Sequence, residues 1–303
     1  MMARSIAPRT AVSVPAPRDV LELLKPITWF PPMWAFLCGV VSSGVPIAER
    51  WPFLIAGILL TGPLVCGTSQ AVNDWFDRHV DAINEPARPI PSGRIGGNWG
   101  LRIAVIGTLF SLLLAWVTGP WVFAATCLGL VCAWGYSAPP FRFKVSGIWG
   151  PAVVALTYEG LTWFTGASVM AAALPAVPVL IILALYSFGA HGIMTLNDFK
   201  AVEGDRATGL RSLPVVLGVD RAAKVACLVM AAPQLVVVGL LFNWGHHVVA
   251  GVVAVLLLVQ LVLMRRLLSD PLKFTPWYNA TGTTAYVLGM LASAFGLGGV
   301  AGL

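Results

Sequence analysis

Nine residues, Asn73 to Asp81, read NDWFDRHVD and set Asp74, Asp77 and Asp81 close together in a chain that is only 11% charged. On a helix, Gln70, Asp74, Asp77, Asp81 and Glu85 fall within an arc of about 80°. Acids stacked on one stripe repel one another unless a cation sits among them. A second segment, NDFKAVEGD, repeats the spacing: Asn197, Asp198 and Asp205 match Asn73, Asp74 and Asp81 at an offset of 124. Further on, RPIP (Arg88 to Pro91) matches RSLP (Arg211 to Pro214). A single cluster reads most simply as a solvated helix end balanced by Arg78 and Arg88. The second copy shifts the reading toward a paired site for a hard divalent cation. Mg²⁺ prefers carboxylate and amide oxygens completed by substrate phosphates. Arg88, Arg94, Arg142, Lys144, Lys200 and Arg211 are the cations expected beside the acids. Basic side chains next to carboxylate-bound Mg²⁺ are what a diphosphate requires.

The elements that must carry these residues are membrane helices. The chain has 303 residues, 58% of them hydrophobic, and a mean hydropathy of +0.83. Soluble domains carry roughly twice this share of charge, and a bilayer-facing surface tolerates little of it. Apolar segments near 27–46, 52–73, 102–118, 120–137, 148–171, 173–197, 222–243, 247–264 and 280–300 predict an all-α polytopic membrane protein with nine transmembrane helices. Each acid motif follows an even-numbered helix. Helices 1–4 and 5–8 therefore read as two four-helix pseudo-repeats, about 26–137 and 148–264, plus a ninth helix. Residues 1–25 read as a mobile cytoplasmic tail and 26–303 as one intramembrane domain. Of the 19 basic residues, 18 fall in the tail or in the even-to-odd loops, leaving Arg50 alone on the other side. Lys and Arg favour the cytoplasmic face, so the N-terminus and both motifs are expected there. Topology thus accounts for the net charge of +6, which gives no support to nucleic-acid binding. The five cysteines lie in apolar spans without metal-type spacing and read as small core residues.

An apolar tunnel leading from such a mouth into the bilayer would suit an isoprenoid tail. The matching chemistry is ionisation of an allylic C–O bond, with Mg²⁺ and Lys or Arg stabilising the departing diphosphate. The two Asn-Asp motifs, YSAPPFRFK (Tyr136 to Lys144) and nine helices resemble the UbiA superfamily of intramembrane prenyltransferases. Within it, LKPITWFPPMWAF, GTSQAVNDWFDRHVDAINEPARPIPSGRI and NDFKAVEGDRATGLRSLPVVLG resemble the chlorophyll synthases, those of phototrophic bacteria above all. The resemblance implies Mg²⁺-dependent transfer of a geranylgeranyl or phytyl group from its diphosphate to the C17 propionate of (bacterio)chlorophyllide. It also implies a place in the inner or intracytoplasmic photosynthetic membrane, and pigment-assembly proteins as partners. Carried over, Asn73, Asp74, Asp77 and Asp81 hold one Mg²⁺, and Asp198 with Asp205 another. Arg88, Lys144 and Lys200 meet the diphosphate, with Arg142 and Arg211 on the same face, and Tyr136 and Gln70 line the pocket. Ala201 stands where many members of the superfamily carry a middle acid, which leaves Asn197 or Glu203 as further ligands of the second motif.

A propionate is already ionised near neutral pH and attacks an allylic carbon without a base. Outside the motifs, Glu159 and His191 are the candidate bases that an aromatic acceptor would need. Glu159, the only acid expected mid-membrane, is either functional or protonated and bonded to a neighbouring helix. His191 reads first as a satisfied core histidine, then as a donor to pigment or diphosphate. Seven of the 12 tryptophans fall near expected helix ends and read as an interfacial belt; Trp75, inside the motif, does not. The alternatives are an aromatic prenyltransferase, a transporter and a non-catalytic pigment-binding protein. A transporter places its coupling residues near the midplane, whereas seven of the 13 acids here lie in the two motif loops.

Overall fold

The computed structural model describes residues 14–298. Among them the regular structure is helical, and the one extended pairing is an isolated parallel bridge between Ser146 and Arg211. The helices are α1 (Pro17–Leu23), α2 (Phe30–Ser42), α3 (Ile47–Leu59), α4 (Gly67–Asn84), α5 (Trp99–Thr118), α6 (Pro120–Ser137) and α7 (Trp149–Ala155). They continue with α8 (Thr162–Ala171), α9 (Val177–Asn197), α10 (Val202–Thr208), α11 (Leu213–Leu217), α12 (Val219–Asn243), α13 (His247–Ser269) and α14 (Pro271–Leu297). Two π-helical stretches, Leu60–Cys66 and Leu156–Leu161, join α3 to α4 and α7 to α8 without a break.

Among the described residues, seven helical stretches are long and apolar enough to cross a membrane: Ile47–Asn84, α5, α6, Val177–Thr208, α12, α13 and α14. The remaining two expected spans take a different form. The first is the 13-residue α2, a rise of about 20 Å against a hydrocarbon core of roughly 30 Å. The fifth is α7 and α8 with the π-helical stretch between them. The ninth expected span starts earlier, at Pro271, because the Asp270 carboxylate caps it by accepting the Lys273 N–H at 3.2 Å. Both motif loops also begin as helix, so the acids of the first motif stand on a continuation of Ile47–Asn84.

Small residues let the central helices approach closely. A Cβ on Gly39 of α2 would lie 2.1 Å from the Trp163 carbonyl, and one on Gly166 of α8 would lie 2.1 Å from the Phe36 carbonyl. The largest buried cluster joins α2, α8, α9 and α12 to α14 around Trp163, Tyr186, Met230, Tyr278 and Tyr286. The glutamines and two of the tyrosines inside it are paired, as an apolar surrounding demands, while the Tyr278 hydroxyl has no hydrogen-bond partner among the described residues. Gln234 and Gln260 exchange amide hydrogen bonds of 3.0 and 2.9 Å, and the Tyr286 hydroxyl donates to the Tyr186 carbonyl at 2.6 Å. Outward faces show Leu109, Trp116, Val131, Leu228 and Leu258, all exposed, a surface for lipid tails rather than water.

The expected tail, 1–25, divides. Residues 1–13 lie outside the described residues, whereas 17–25 are built into the fold. Arg94 Nη1 donates to Asp19 and to Glu22, each at 2.6 Å, and Leu23 is fully buried. The boundary at residue 26 therefore falls inside packed structure. Scattered Pro and Arg suggested mobility because the partner, Arg94, lies far along the chain.

Candidate active site

A cavity of about 630 Å³ opens between α4, α6, the α7–α8 segment and the end of α9. Its polar part holds Asn73, Asp77, Lys144, Asn197, Asp198, Lys200 and Asp205. Both motifs thus meet in one space. Further in, Pro31, Pro32, Val65, Gly129, Cys132 and Val154 make the wall apolar.

The first motif is divided by the turn of its helix. Asn73 donates through Nδ2 to Asp77 Oδ2 at 3.0 Å and to Ser137 Oγ at 2.9 Å. Lys144 Nζ forms an ion pair with Asp77 Oδ1. Asp74 and Asp81 do not line the cavity. Asp74 is fully buried, 2.6 Å from Lys25 Nζ and 3.5 Å from Arg88 Nη1, and its Oδ2 has no hydrogen-bond partner. Arg88 Nη1 also holds Asp81 Oδ2 at 2.8 Å. Partial burial weakens the Arg88 proton affinity, but Asp74, Asp81 and Glu85 outweigh it and the guanidinium pKa is raised. Arg88, expected on the diphosphate, instead neutralises two acids of its own motif.

The second motif is less engaged. Asn197 Oδ1 accepts from Asn279 Nδ2 at 3.2 Å. Asp198, Lys200 and Asp205 line the cavity and form no ion pair among the described residues. Glu203 is exposed and lies outside the lining, as do Arg142 and Arg211. The backbone of Arg211 has a role all the same. Gly147 N–H donates to the Arg211 carbonyl at 2.8 Å, and Arg211 N–H to the Val145 carbonyl at 3.1 Å. This stitch fixes the loop that carries Lys144. It needs glycine, because a Cβ on Gly147 would lie 2.4 Å from Leu213 N and 2.7 Å from Arg211 O.

Among the pocket residues, Gln70 and Tyr136 line the cavity. Glu159 does not: it is buried in the π-helical stretch with Oε2 unpartnered. His191 faces a second, apolar cleft of about 500 Å³ between the α7–α8 segment and α9, with Nε2 3.1 Å from the Ile148 carbonyl. Trp75 is covered by the Arg78 guanidinium at 4.3 Å from its ring. Two residues escaped the sequence reading. Lys25 had only a KP dipeptide to mark it. Tyr158, on the cavity wall, stood beside the more conspicuous Glu159.

Oxygen ligands dominate the polar end, and among the described residues no three His, Cys, Asp or Glu side chains converge into a ready-made cation cage. Mg²⁺ is usually held by one or two carboxylates together with substrate phosphates. Asn73, Asp77, Asp198 and Asp205, facing one space, fit a cation completed by its substrate.

The chain matches the model of the UbiA prenyltransferase family over residues 28–279. It is 58% identical to the bacteriochlorophyll synthase 33 kDa chain of Cereibacter sphaeroides, over 98% of this chain and 97% of that one. It is 39% identical to the chloroplastic chlorophyll synthase of Oryza sativa subsp. japonica, over 90% and 75% of the two chains. A UbiA homolog from Archaeoglobus fulgidus bound to DMAPP and Mg²⁺ superposes with a TM-score of 0.74 over 94% of this chain and 100% of that one, at 20% identity. On its sequence and its helical architecture alike, the chain belongs to the UbiA prenyltransferase family.

Proposed function

We propose that the protein transfers a geranylgeranyl or phytyl group from its diphosphate to the C17 propionate of bacteriochlorophyllide or chlorophyllide. The 58% identity to a bacteriochlorophyll synthase favours the bacteriochlorin macrocycle. The observation that carries the reading is the convergence of both acid motifs, Lys144 and Lys200 on one cavity with an apolar inner wall. Bound Mg²⁺, held by Asn73, Asp77, Asp198 and Asp205, supplies Lewis-acid stabilisation of the leaving diphosphate. Lys144 and Lys200 add positive charge at the same end, and Asn73 positions Asp77. The apolar wall orients the prenyl chain and excludes water from the allylic carbon. One propionate oxygen forms the new C–O bond as the C–O bond to diphosphate breaks, and the electron pair leaves with the diphosphate. No base is required, which agrees with the placement of Glu159 and His191 away from the cavity.

On this reading the protein crosses the inner or intracytoplasmic membrane with nine helical segments, arranged as two four-helix repeats and a ninth. The motifs then face the cytoplasm. The test is incubation of the purified protein in nanodiscs with Mg²⁺, geranylgeranyl diphosphate and bacteriochlorophyllide or chlorophyllide, reading esterified pigment by chromatography. Ester should form and should stop on chelation of the metal. Prenylation of an aromatic acid with no pigment ester would replace the reading with the aromatic-acceptor one.

A further inference from the structure

We infer that Tyr158 is the acceptor-binding residue: its hydroxyl, held ready by Gln70 and Cys66, donates to the carboxylate that attacks the prenyl group. The inference deepens the proposed function and rests on its carboxylate acceptor.

The proton inventory around this hydroxyl is unusual. Thr28 Oγ1 spends its only proton on the Lys25 carbonyl at 2.8 Å. The Cys66 thiol faces Thr28 twice, its Sγ 3.4 Å from the carbonyl and 3.5 Å from Oγ1, so its proton goes to Thr28. Gln70 Nε2 donates to the Tyr158 hydroxyl oxygen at 3.3 Å. The Tyr158 proton is then left with Cys66 Sγ, 3.3 Å away, as its acceptor. Thioether and thiol sulfur are weak acceptors, whereas a hydrogen bond to an ionised carboxylate is roughly twice as strong as a neutral one. A carboxylate entering this space draws the phenol proton from sulfur.

The position suits the reaction. Thr28, Cys66, Gln70 and Tyr158 all line the cavity. Gln70 stands one helical turn from Asn73 and two from Asp77 along α4, roughly 5 and 10 Å toward the apolar end. The diphosphate end and the carboxylate end of the cavity are thereby separated along one helix, with the allylic carbon between them. Both Cys66 and Tyr158 are presented by π-helical stretches, Leu60–Cys66 and Leu156–Leu161. Such bulges occur often at functional sites.

The experiment is steady-state kinetics of Tyr158→Phe, Cys66→Ser and Cys66→Ala in nanodiscs, with both substrates varied. A hydrogen bond to a charged group is worth about 1.5–3 kcal/mol, so Tyr158→Phe should raise the KM for chlorophyllide roughly ten- to hundredfold. The KM for the prenyl diphosphate should stay within about twofold, a split that general loss of packing would not give. Cys66→Ser offers the phenol a stronger local acceptor and should raise the acceptor KM. Cys66→Ala removes the competing acceptor and should lower it. Opposite movement of the two Cys66 variants keeps the inference testable even where the Phe variant folds poorly. An acceptor KM unchanged in Tyr158→Phe, an equal rise in both KM values, or the same direction of change in Cys66→Ser and Cys66→Ala would overturn it. A wild-type enzyme that makes no ester from any carboxylate acceptor would instead sink the functional reading itself.

Discussion

Asp77 and Asp74 sit three residues apart on one helix and meet different partners. Asp77 opens onto the cavity beside Lys144, while Asp74 is sealed against Lys25 and Arg88. Asp77→Ala or Asp198→Ala should therefore lower turnover by more than about tenfold, or roughly 1.4 kcal/mol of transition-state stabilisation, in a protein that still inserts and folds. Glu159→Gln and His191→Gln should each cost less than the ~10²-fold that loss of a positioned general base brings, since neither side chain reaches the cavity. Single-turnover esterification at saturating chlorophyllide checks both. A loss beyond ~10²-fold for Glu159→Gln or His191→Gln would restore a proton-transfer role. The acids were legible in sequence because they repeat with one spacing in a chain otherwise poor in charge. The assignment of Arg88 to substrate was not, because spacing reveals which residues share a face but not which acid a guanidinium will neutralise. Arg142 and Arg211 share the membrane side with the site, yet their side chains stay exposed and outside the cavity.

Helices and loops hold these residues by contacts remote in sequence, which periodicity does not register. The bridge between Ser146 and Arg211 is the clearest case, joining the Lys144 loop to the segment after the second motif. Gly147→Ala should break it, for the added methyl would press on the Leu213 and Arg211 backbones. The expected result is a raised KM for the prenyl diphosphate, with secondary structure by circular dichroism unchanged; an unaltered KM would mean that the stitch does not position Lys144. The clamp on α1 is a second case. The hydrogen bond from Arg94 holds the Glu22 carboxyl below the usual glutamate range. A folded-state pKa below the unfolded one stabilises docking at pH above about 4.3, and that contribution disappears as the pH falls through the folded value. Anisotropy of a fluorophore on Leu21→Cys, in a cysteine-depleted background, should thus fall on acidification below pH ~4. Glu22→Gln should remove that titration, and Arg94→Ala should leave α1 loose at neutral pH. The helix order was readable from apolar runs, whereas α1 was not, because its one strong tether comes from a loop some seventy residues away.

At the scale of the whole molecule, charge and lipid decide the orientation. Among the described residues, seven helical stretches are long and apolar enough to span; α2 and the α7–α8 segment pack among them, against the largest buried cluster. If these two also cross, the described Lys and Arg residues other than Arg50 gather at one end. Arg50 stands at the opposite end, where Nη2 donates to the Val169 carbonyl at 2.8 Å and the guanidinium lies 3.9 Å from the Phe53 ring centre. A cation tethered to a helix-end carbonyl and an aromatic face is held at its interface without help from the cytoplasmic surface potential. Arg78 is tethered in the same way, to the Trp75 carbonyl at 2.7 Å and over the Trp75 ring. What would set Arg50 apart in a nine-crossing arrangement is therefore its end of the molecule, and a one-sided gathering of the other cations is the pattern that fixes orientation during insertion. Had the α7–α8 segment failed to cross, the loops after α4 and α10 would face opposite sides and the two motifs could not share a cavity, as they do here; α2 precedes both loops and bears only on the side of the N-terminus. Single cysteines placed at Ser92 and Thr208 should therefore both react with an impermeant maleimide only in inside-out vesicles. Cysteines at Ala173 and His246 should react only in right-side-out cells. Labelling of Ser92 and Thr208 from opposite sides would refute the nine-crossing arrangement and, with it, a cytoplasmic mouth shared by both motifs.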